Sequence, residues 1–265
     1  MTAAQHPRSR RTLRPALVAG LAAAAAGALL TTGCSPSDVL TRTKILRSEA
    51  TVTDRVTDVE ITDNGSGNVE VVARPAGSTD TTTRVTRAIH YVGDTAPKPT
   101  QKVSGGVLTV DKGCSEGIRG CSADWVIEVP AGTRVRLGAS SGDVTARGVA
   151  DAELSTSSGD VRAENVTGTL RLAASSGDVV GTGLKARDTT AETSSGNLVL
   201  AWAAAPGSLR ARSGSGDTTV RVPGGPYRVT GKTGSGDRTV SVPTSGTAVA
   251  TLDVTSGSGD ATVEH

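Results

Sequence analysis

The amino-acid sequence predicts an all-β chain: a β-solenoid, β-helix-like, built from serial repeats of short strands, with an antiparallel β-meander or sandwich as the alternative. Three observations carry this. Ser141-Gly142-Asp143 returns as Ser158-Gly159-Asp160, Ser176-Gly177-Asp178, Ser195-Gly196-Asn197, Ser215-Gly216-Asp217, Ser235-Gly236-Asp237 and Ser258-Gly259-Asp260. The steps are 17, 18, 19, 20, 20 and 23 residues, a spacing that marks repeat architectures. The apolar residues are small, with many Ala and Val, 33 Gly and no Phe, which suits a narrow solenoid core.

Aligned on the Asp/Asn, the repeats sort into columns. Eight residues before it stand Val135, Ala152, Leu170, Thr189, Leu209, Val229 and Leu252, and six before it Leu137, Leu154, Leu172, Ala191, Ala211, Gly231 and Val254. One after it come Val144, Val161, Val179, Leu198, Thr218, Arg238 and Ala261, and three after it Ala146, Ala163, Gly181, Leu200, Val220, Val240 and Val263. Apolar residues two apart on both sides of a Ser/Gly/Asp cluster read as two short strands joined by a turn. Six after it, Val149, Val166, Leu184, Ala203, Pro223 and Pro243 suggest a third inward column. All variation in length falls in the corner that follows. The Asp/Asn is expected to close an Asx-type turn on nearby backbone N–H groups, and each Gly to need a positive φ.

Residues 1–33 read as a signal peptide. Arg8, Arg10, Arg11 and Arg14 form a basic n-region without acids, and Pro15 to Leu30 is an Ala-rich apolar run. Leu30-Thr31-Thr32-Gly33-Cys34 resembles the lipobox of bacterial lipoproteins, with Thr31 where Leu is usual, so Cys34 is the expected lipidation site. Residues 34–48 are expected to be the lipidated Cys and a polar tether. Removal of the signal takes away four basic residues and no acidic one, leaving 24 basic against 26 acidic, a net charge near −2. With no basic stripe and four aromatic residues in all, the mature chain has no nucleic-acid footprint.

Residues 49–130 carry a degenerate form of the pattern and read as an N-terminal cap on the coils at 131–265. Asp58 to Ile61 leads through Ser66-Gly67-Asn68 into Val69-Glu70-Val71, and Gly105 to Val110 and Trp125 to Pro130 are further strands. Terminal repeats of solenoids are commonly atypical in this way. Cys114 and Cys121 flank a six-residue turn and, in an exported chain, are expected to form a disulfide.

The run Val126-Ile127-Glu128-Val129-Pro130-Ala131-Gly132-Thr133, followed by Ser140-Ser141-Gly142-Asp143-Val144, resembles the putative-adhesin family of bacterial β-strand-repeat envelope proteins. The resemblance covers about residues 50–265 and implies a non-enzymatic surface role, with no catalytic residues to carry over. The stacked coils are also distantly similar in shape to bactofilins, which polymerise.

For chemistry, the Asp column is the first candidate. Asp143, Asp160, Asp178, Asp217, Asp237 and Asp260 would stack at about 4.8 Å and gather Ca²⁺. Asn197 and Asn68 take the same place without the charge, so the column reads as structural, and no metal or cofactor is expected. His90 is the one His inside the domain and has no nucleophile paired with it in the sequence. Trp125, Trp202, Tyr91 and Tyr227 are too scattered for a sugar-stacking groove. The outward columns place Arg136, Glu153 and Arg171, and then Glu192 and Arg212, on successive strands, where opposite charges help set register. The expected function is a lipid-anchored, non-enzymatic surface scaffold, adhesin or envelope sensor; a polysaccharide-acting enzyme on a solenoid is the alternative. Expected partners are the membrane, through the lipid, and an envelope protein or polysaccharide. Self-association is expected through the C-terminal coil, Ala261 to His265, read as an open end.

Overall fold

The computed structural model describes residues 42–114 and 118–265. The expected signal peptide and Cys34 lie outside the described residues, as do residues 115–117 of the turn between Cys114 and Cys121. The first strand, β1 (Lys44–Val52), begins inside the stretch expected as tether, because its alternating side chains already face the core. The first repeat rung follows: β2 (Asp58–Ile61), the Ser66-Gly67-Asn68 turn and β3 (Val69–Ala73). Two strands, β4 (Thr83–Val92) and β5 (Thr100–Ser104), then lead to a second rung of β6 (Val107–Asp111) and β7 (Arg119–Val129), whose connection carries the two cysteines.

From there each Ser-Gly-Asp/Asn turn joins two strands. The pairs are β8 (Arg134–Ala139) with β9 (Val144–Arg147), β10 (Ala152–Thr156) with β11 (Val161–Glu164), β12 (Thr169–Ala174) with β13 (Val179–Leu184), β14 (Asp188–Ser195) with β15 (Leu198–Trp202), and β16 (Ser208–Ser215) with β17 (Thr218–Arg221). The sixth repeat is split into β18 (Arg228–Thr230), β19 (Thr233–Ser235) and β20 (Arg238–Val240), and the seventh is β21 (Thr251–Ser258) with β22 (Ala261–Glu264).

The strand before each turn joins one sheet and the strand after it joins the other, and the two sheets enclose a continuous core. Neighbouring rungs pair in parallel, with like columns aligned: Leu154 sits between Leu137 and Leu172, and Val161 between Val144 and Val179. Antiparallel pairing is confined to β1–β4–β7 and β5–β6. Arg87 of β4 ties the sheets together at that end. Its Nε donates to Ser48 Oγ and one Nη to Gln101 Oε1, both at 2.7 Å, and burial lowers its pKa.

Spatial order departs from chain order at both ends. The β2–β3 rung stacks between β6–β7 and β8–β9. At the other end β21–β22 lies between β16–β17 and the split sixth repeat. The expected open end at the C-terminal coil is therefore corrected: Val263 is 1 % exposed and has strands on both sides. The outermost rung at that end is 228–240, three short strands with exposed Lys232 in the break between the first two and exposed Arg238 in the third, between Pro226 and Pro243. Broken strands, charge and proline are the devices that blunt a sheet edge.

The inward columns eight and six before the Asp/Asn and one and three after it are buried through the central rungs. The third column holds only in part. Val149, Val166 and Leu184 are buried six after the turn residue, but the place then passes to Trp202, Val222 and Val242, five after it, while Ala203 is exposed. An irregularity between Gly181 and Leu184 shifts the register so that Leu184 pairs with Trp202. Trp202 fills the corner with its indole N–H donated to Ala186 O at 3.0 Å.

Two buried hydroxyls in the core columns, Thr189 and Thr218, meet no hydrogen-bond partner in the protein. An unpaired buried hydroxyl costs free energy that an isosteric methyl avoids. Thr218→Val is expected to raise stability by about 1 kcal/mol, read as a higher urea midpoint with unchanged slope. A lowered midpoint would refute this reading of the site.

Candidate functional site

The Asp/Asn column is the candidate site, and its geometry begins with the turn backbone. Each turn residue's Oδ1 accepts the backbone N–H of the turn residue in the next rung. The series runs Asp124, Asn68, Asp143, Asp160, Asp178, Asn197, Asp217, Asp260, Asp237, with N···O distances from 2.7 to 3.1 Å. The residue after each turn returns a bond: Val144 N–H donates to Asp160 O, and Val161 N–H to Asp178 O, both at 2.9 Å. The expected acceptor role of Oδ1 is present, but its partner is the adjacent rung, not a local Asx turn. Asn68 and Asn197 accept as the carboxylates do, so charge is incidental to this bond.

The glycines allow these backbones to approach. A Cβ on Gly177 would stand 1.7 Å from Gly159 O, and one on Gly159 2.2 Å from Gly142 O. The expectation of a positive φ is corrected for Gly142, Gly159 and Gly177, none of which has one. Glycine is required there because the neighbouring carbonyl occupies the space a side chain would take. The start of the ladder shows the converse. Ser122-Ala123-Asp124 is a degenerate copy of the tripeptide with Ala in the Gly place. It opens the series, and the N–H of Asn68 is bonded to Asp124 Oδ1.

A second column, four before the turn residue, escaped the sequence reading. Thr156, Thr193, Ser213, Ser256 and Thr233 each donate a hydroxyl to the Gly carbonyl of the neighbouring rung, at 2.7 to 3.0 Å. The recurring Thr/Ser was its signal. In the β2–β3 rung this place is Asn64, whose Nδ2 donates to Gly67 O and Ala123 O while its Oδ1 accepts the Trp125 indole N–H.

The outer surface is a mixed field of charge. Arg162 bridges the outer oxygens of Asp160 and Asp143, at 2.6 and 3.5 Å. Arg147 lies between Glu70 and Glu164, and Arg134 pairs with Asp58, whose carboxylate hydrogen bond raises the Arg134 pKa. Of the pairs anticipated from the outward columns, Arg136–Glu153 forms at 3.6 Å. Glu192 and Arg212 are register neighbours, but Arg212 is drawn to Asp253 at 3.3 Å.

Trp125, Trp202, Tyr91 and Tyr227 are all buried, which leaves no aromatic platform for a sugar ring. His90 is bound through Nε2 to Asp124 Oδ2 at 3.1 Å, so the ladder takes up the one interior His. A depression of about 530 Å³ between Thr53–Thr57 and Pro130–Thr133 is lined by threonines, Arg55 and apolar atoms, without acid or imidazole. Among the described residues no three His, Cys, Asp or Glu are grouped to hold a metal ion. Cys114 and Cys121 are joined as a disulfide, with Cα atoms 6.3 Å apart.

These features define a β-repeat protein whose recurring polar residues hold successive rungs together. Residues 122–264 match the family model Toastrack DUF4097, and the chain belongs to that family. Among solved structures it is similar to three each described as a "putative adhesin". These come from Parabacteroides merdae ATCC 43184 (13 % identity, TM-score 0.44), Parabacteroides distasonis ATCC 8503 (14 %, 0.43) and Bacteroides fragilis NCTC 9343 (15 %, 0.42). Each match covers 83 % of this chain and 96 % of the other. No curated protein matches the sequence.

The ladder makes two substitutions unequal. Asp178→Asn keeps the Oδ1 that accepts Asn197 N–H and is expected to change stability by less than about 0.5 kcal/mol, whereas Asp178→Ala should cost about 1–2 kcal/mol. Equal losses from the two in urea unfolding would show that charge, not the acceptor, matters. Gly177→Ala, which drives a methyl into a backbone carbonyl, is expected to cost about 2–3 kcal/mol in the same measurement. A cost below that of Asp178→Ala would refute the close-approach account.

Proposed function

We propose that this protein is a lipid-anchored, extracytoplasmic β-solenoid that acts as a rigid, non-enzymatic envelope scaffold or adhesin. The observation that carries this reading is the use of the repeat's polar groups. Turn carboxylates, glycine carbonyls and buried hydroxyls bond to neighbouring rungs, and what faces outward is a mixed field of Arg, Glu and Asp. Such a surface suits weak, repeated contact with an envelope protein or polysaccharide more than capture of one small molecule. A stack held rung to rung would keep that surface straight and evenly spaced.

Anchoring rests on Leu30-Thr31-Thr32-Gly33-Cys34 and on the short distance from Cys34 to β1 at Lys44. That span of ten residues reaches at most about 35 Å, so the folded part would stand close to the bilayer. One acyl chain holds a protein only marginally, and stable anchoring needs a second chain on the same cysteine. The test is export of the full chain and of Cys34→Ala in a bacterial host. The parent is expected in the detergent phase after cloud-point separation and the variant in the aqueous phase, unprocessed or released. Equal partitioning and equal processing of both would defeat the lipoprotein reading.

A further inference from the structure

The two ends of the stack are finished differently. At one end the outer strands β18, β19 and β20 have three residues each and are interrupted by glycine and charge. At the other end β1 runs for nine residues, pairs only with β4, and among the described residues has no strand on its outer side. An edge of that length offers a row of backbone donors and acceptors to another strand.

The sequence of β1 is complementary to itself. Leu46, Ser48, Ala50 and Val52 face inward and Ile45, Arg47, Glu49 and Thr51 outward. Two antiparallel copies centred on Ser48 pair all nine residues; apart from the terminal pair, exposed Lys44 opposite Val52, inward residues meet inward ones and outward ones outward. This register sets Arg47 directly opposite Glu49 of the second copy, twice over by symmetry, Leu46 opposite Ala50, and half-exposed Ile45 opposite Thr51. A slip by one two-residue step in either direction brings Arg47 onto Arg47 or Glu49 onto Glu49, which like-charge repulsion disfavours. Glu49 also touches Arg84 at 3.2 Å, so each carboxylate would lie between two guanidinium groups. Ser48 is held from beneath by Arg87, which fixes the centre of the strand.

We propose that a second copy of this chain occupies the β1 edge, forming an isologous dimer in which one sheet of each molecule continues into the other through β1–β1 pairing centred on Ser48. The two-fold axis passes through Ser48, as a self-complementary patch requires. This places association at the end opposite to the C-terminal coil and does not depend on lipid anchoring or on adhesion.

The test uses the purified full-length chain in mild detergent, followed by sedimentation velocity across a concentration series. Arg47→Glu and Glu49→Arg each replace two attractive contacts by two repulsive ones and are expected to weaken the dimer about tenfold or more. The double exchange Arg47→Glu/Glu49→Arg restores opposite charges across the axis and is expected to recover most of the loss. As a second readout, Ser48→Cys is expected to give a covalent dimer on mild oxidation, because its two copies face each other. Ala50→Cys, whose copies are four residues apart across the interface, should not exceed the parent. A monomer throughout the series, a dimer indifferent to both single reversals, no recovery in the double exchange, or equal cross-linking from positions 48 and 50 overturns the proposal.

Discussion

The structure depends on one repeated bond, the backbone N–H of a turn residue given to the Oδ1 of the turn residue in the adjacent rung. A parallel ladder alone leaves register to side-chain packing, and small side chains such as Ala146 and Ala163 discriminate poorly between neighbouring registers. The side-chain bond and its returning main-chain partner admit one alignment. With that alignment set, the four inward columns meet like to like and the core follows. The bond exists only because glycine lets one carbonyl occupy the space beside the next rung's Cα. The Asp/Asn and the Gly of the tripeptide are therefore two halves of one constraint.

The hydroxyl column extends the same logic inward. The carbonyls of Gly142, Gly177, Gly196, Gly216 and Gly259 each meet a Thr or Ser from the neighbouring rung; opposite Ala139, Gly67 O accepts Asn64 Nδ2 instead, and opposite Ala174 no hydroxyl reaches Gly159 O. A buried carbonyl is tolerated more readily than a buried N–H, having two lone pairs and softer geometric demands. The variation in repeat length is accommodated at the corner after the second strand. There Leu184, Trp202 and Val222 close the core with side chains of very different size.

Much of this was legible. Inward columns on either side of the tripeptide follow from period-two alternation, and the same signature marks the turn at Asn68. Other features left weaker marks. Ser122-Ala123-Asp124 was hidden because Ala replaces the residue that defines the motif. The passage of the third column from Leu184 to Trp202 depends on an irregularity after Gly181, which no local propensity announces. The reason for glycine at Gly159 was missed because sequence shows a residue's own conformational freedom, not what presses against it from another rung. Spatial order was least accessible of all. β21 and β22 carry intact inward columns, as an interior rung does, whereas the sixth repeat breaks them at Gly231 and Arg238; that contrast is the one mark of the order, and chain order masks it.

That insertion has a consequence for how the molecule is assembled. The rung at 228–240 is synthesised before the rung that becomes its only neighbour, so during emergence of the chain it has no permanent seat. Its sheet partners in the finished fold follow it in the chain, across the loop of residues 241–250. Closure at this end is thus a clasp: the outer rung depends for its sheet pairing on residues 251–264, while those residues also rest on β16 and β17.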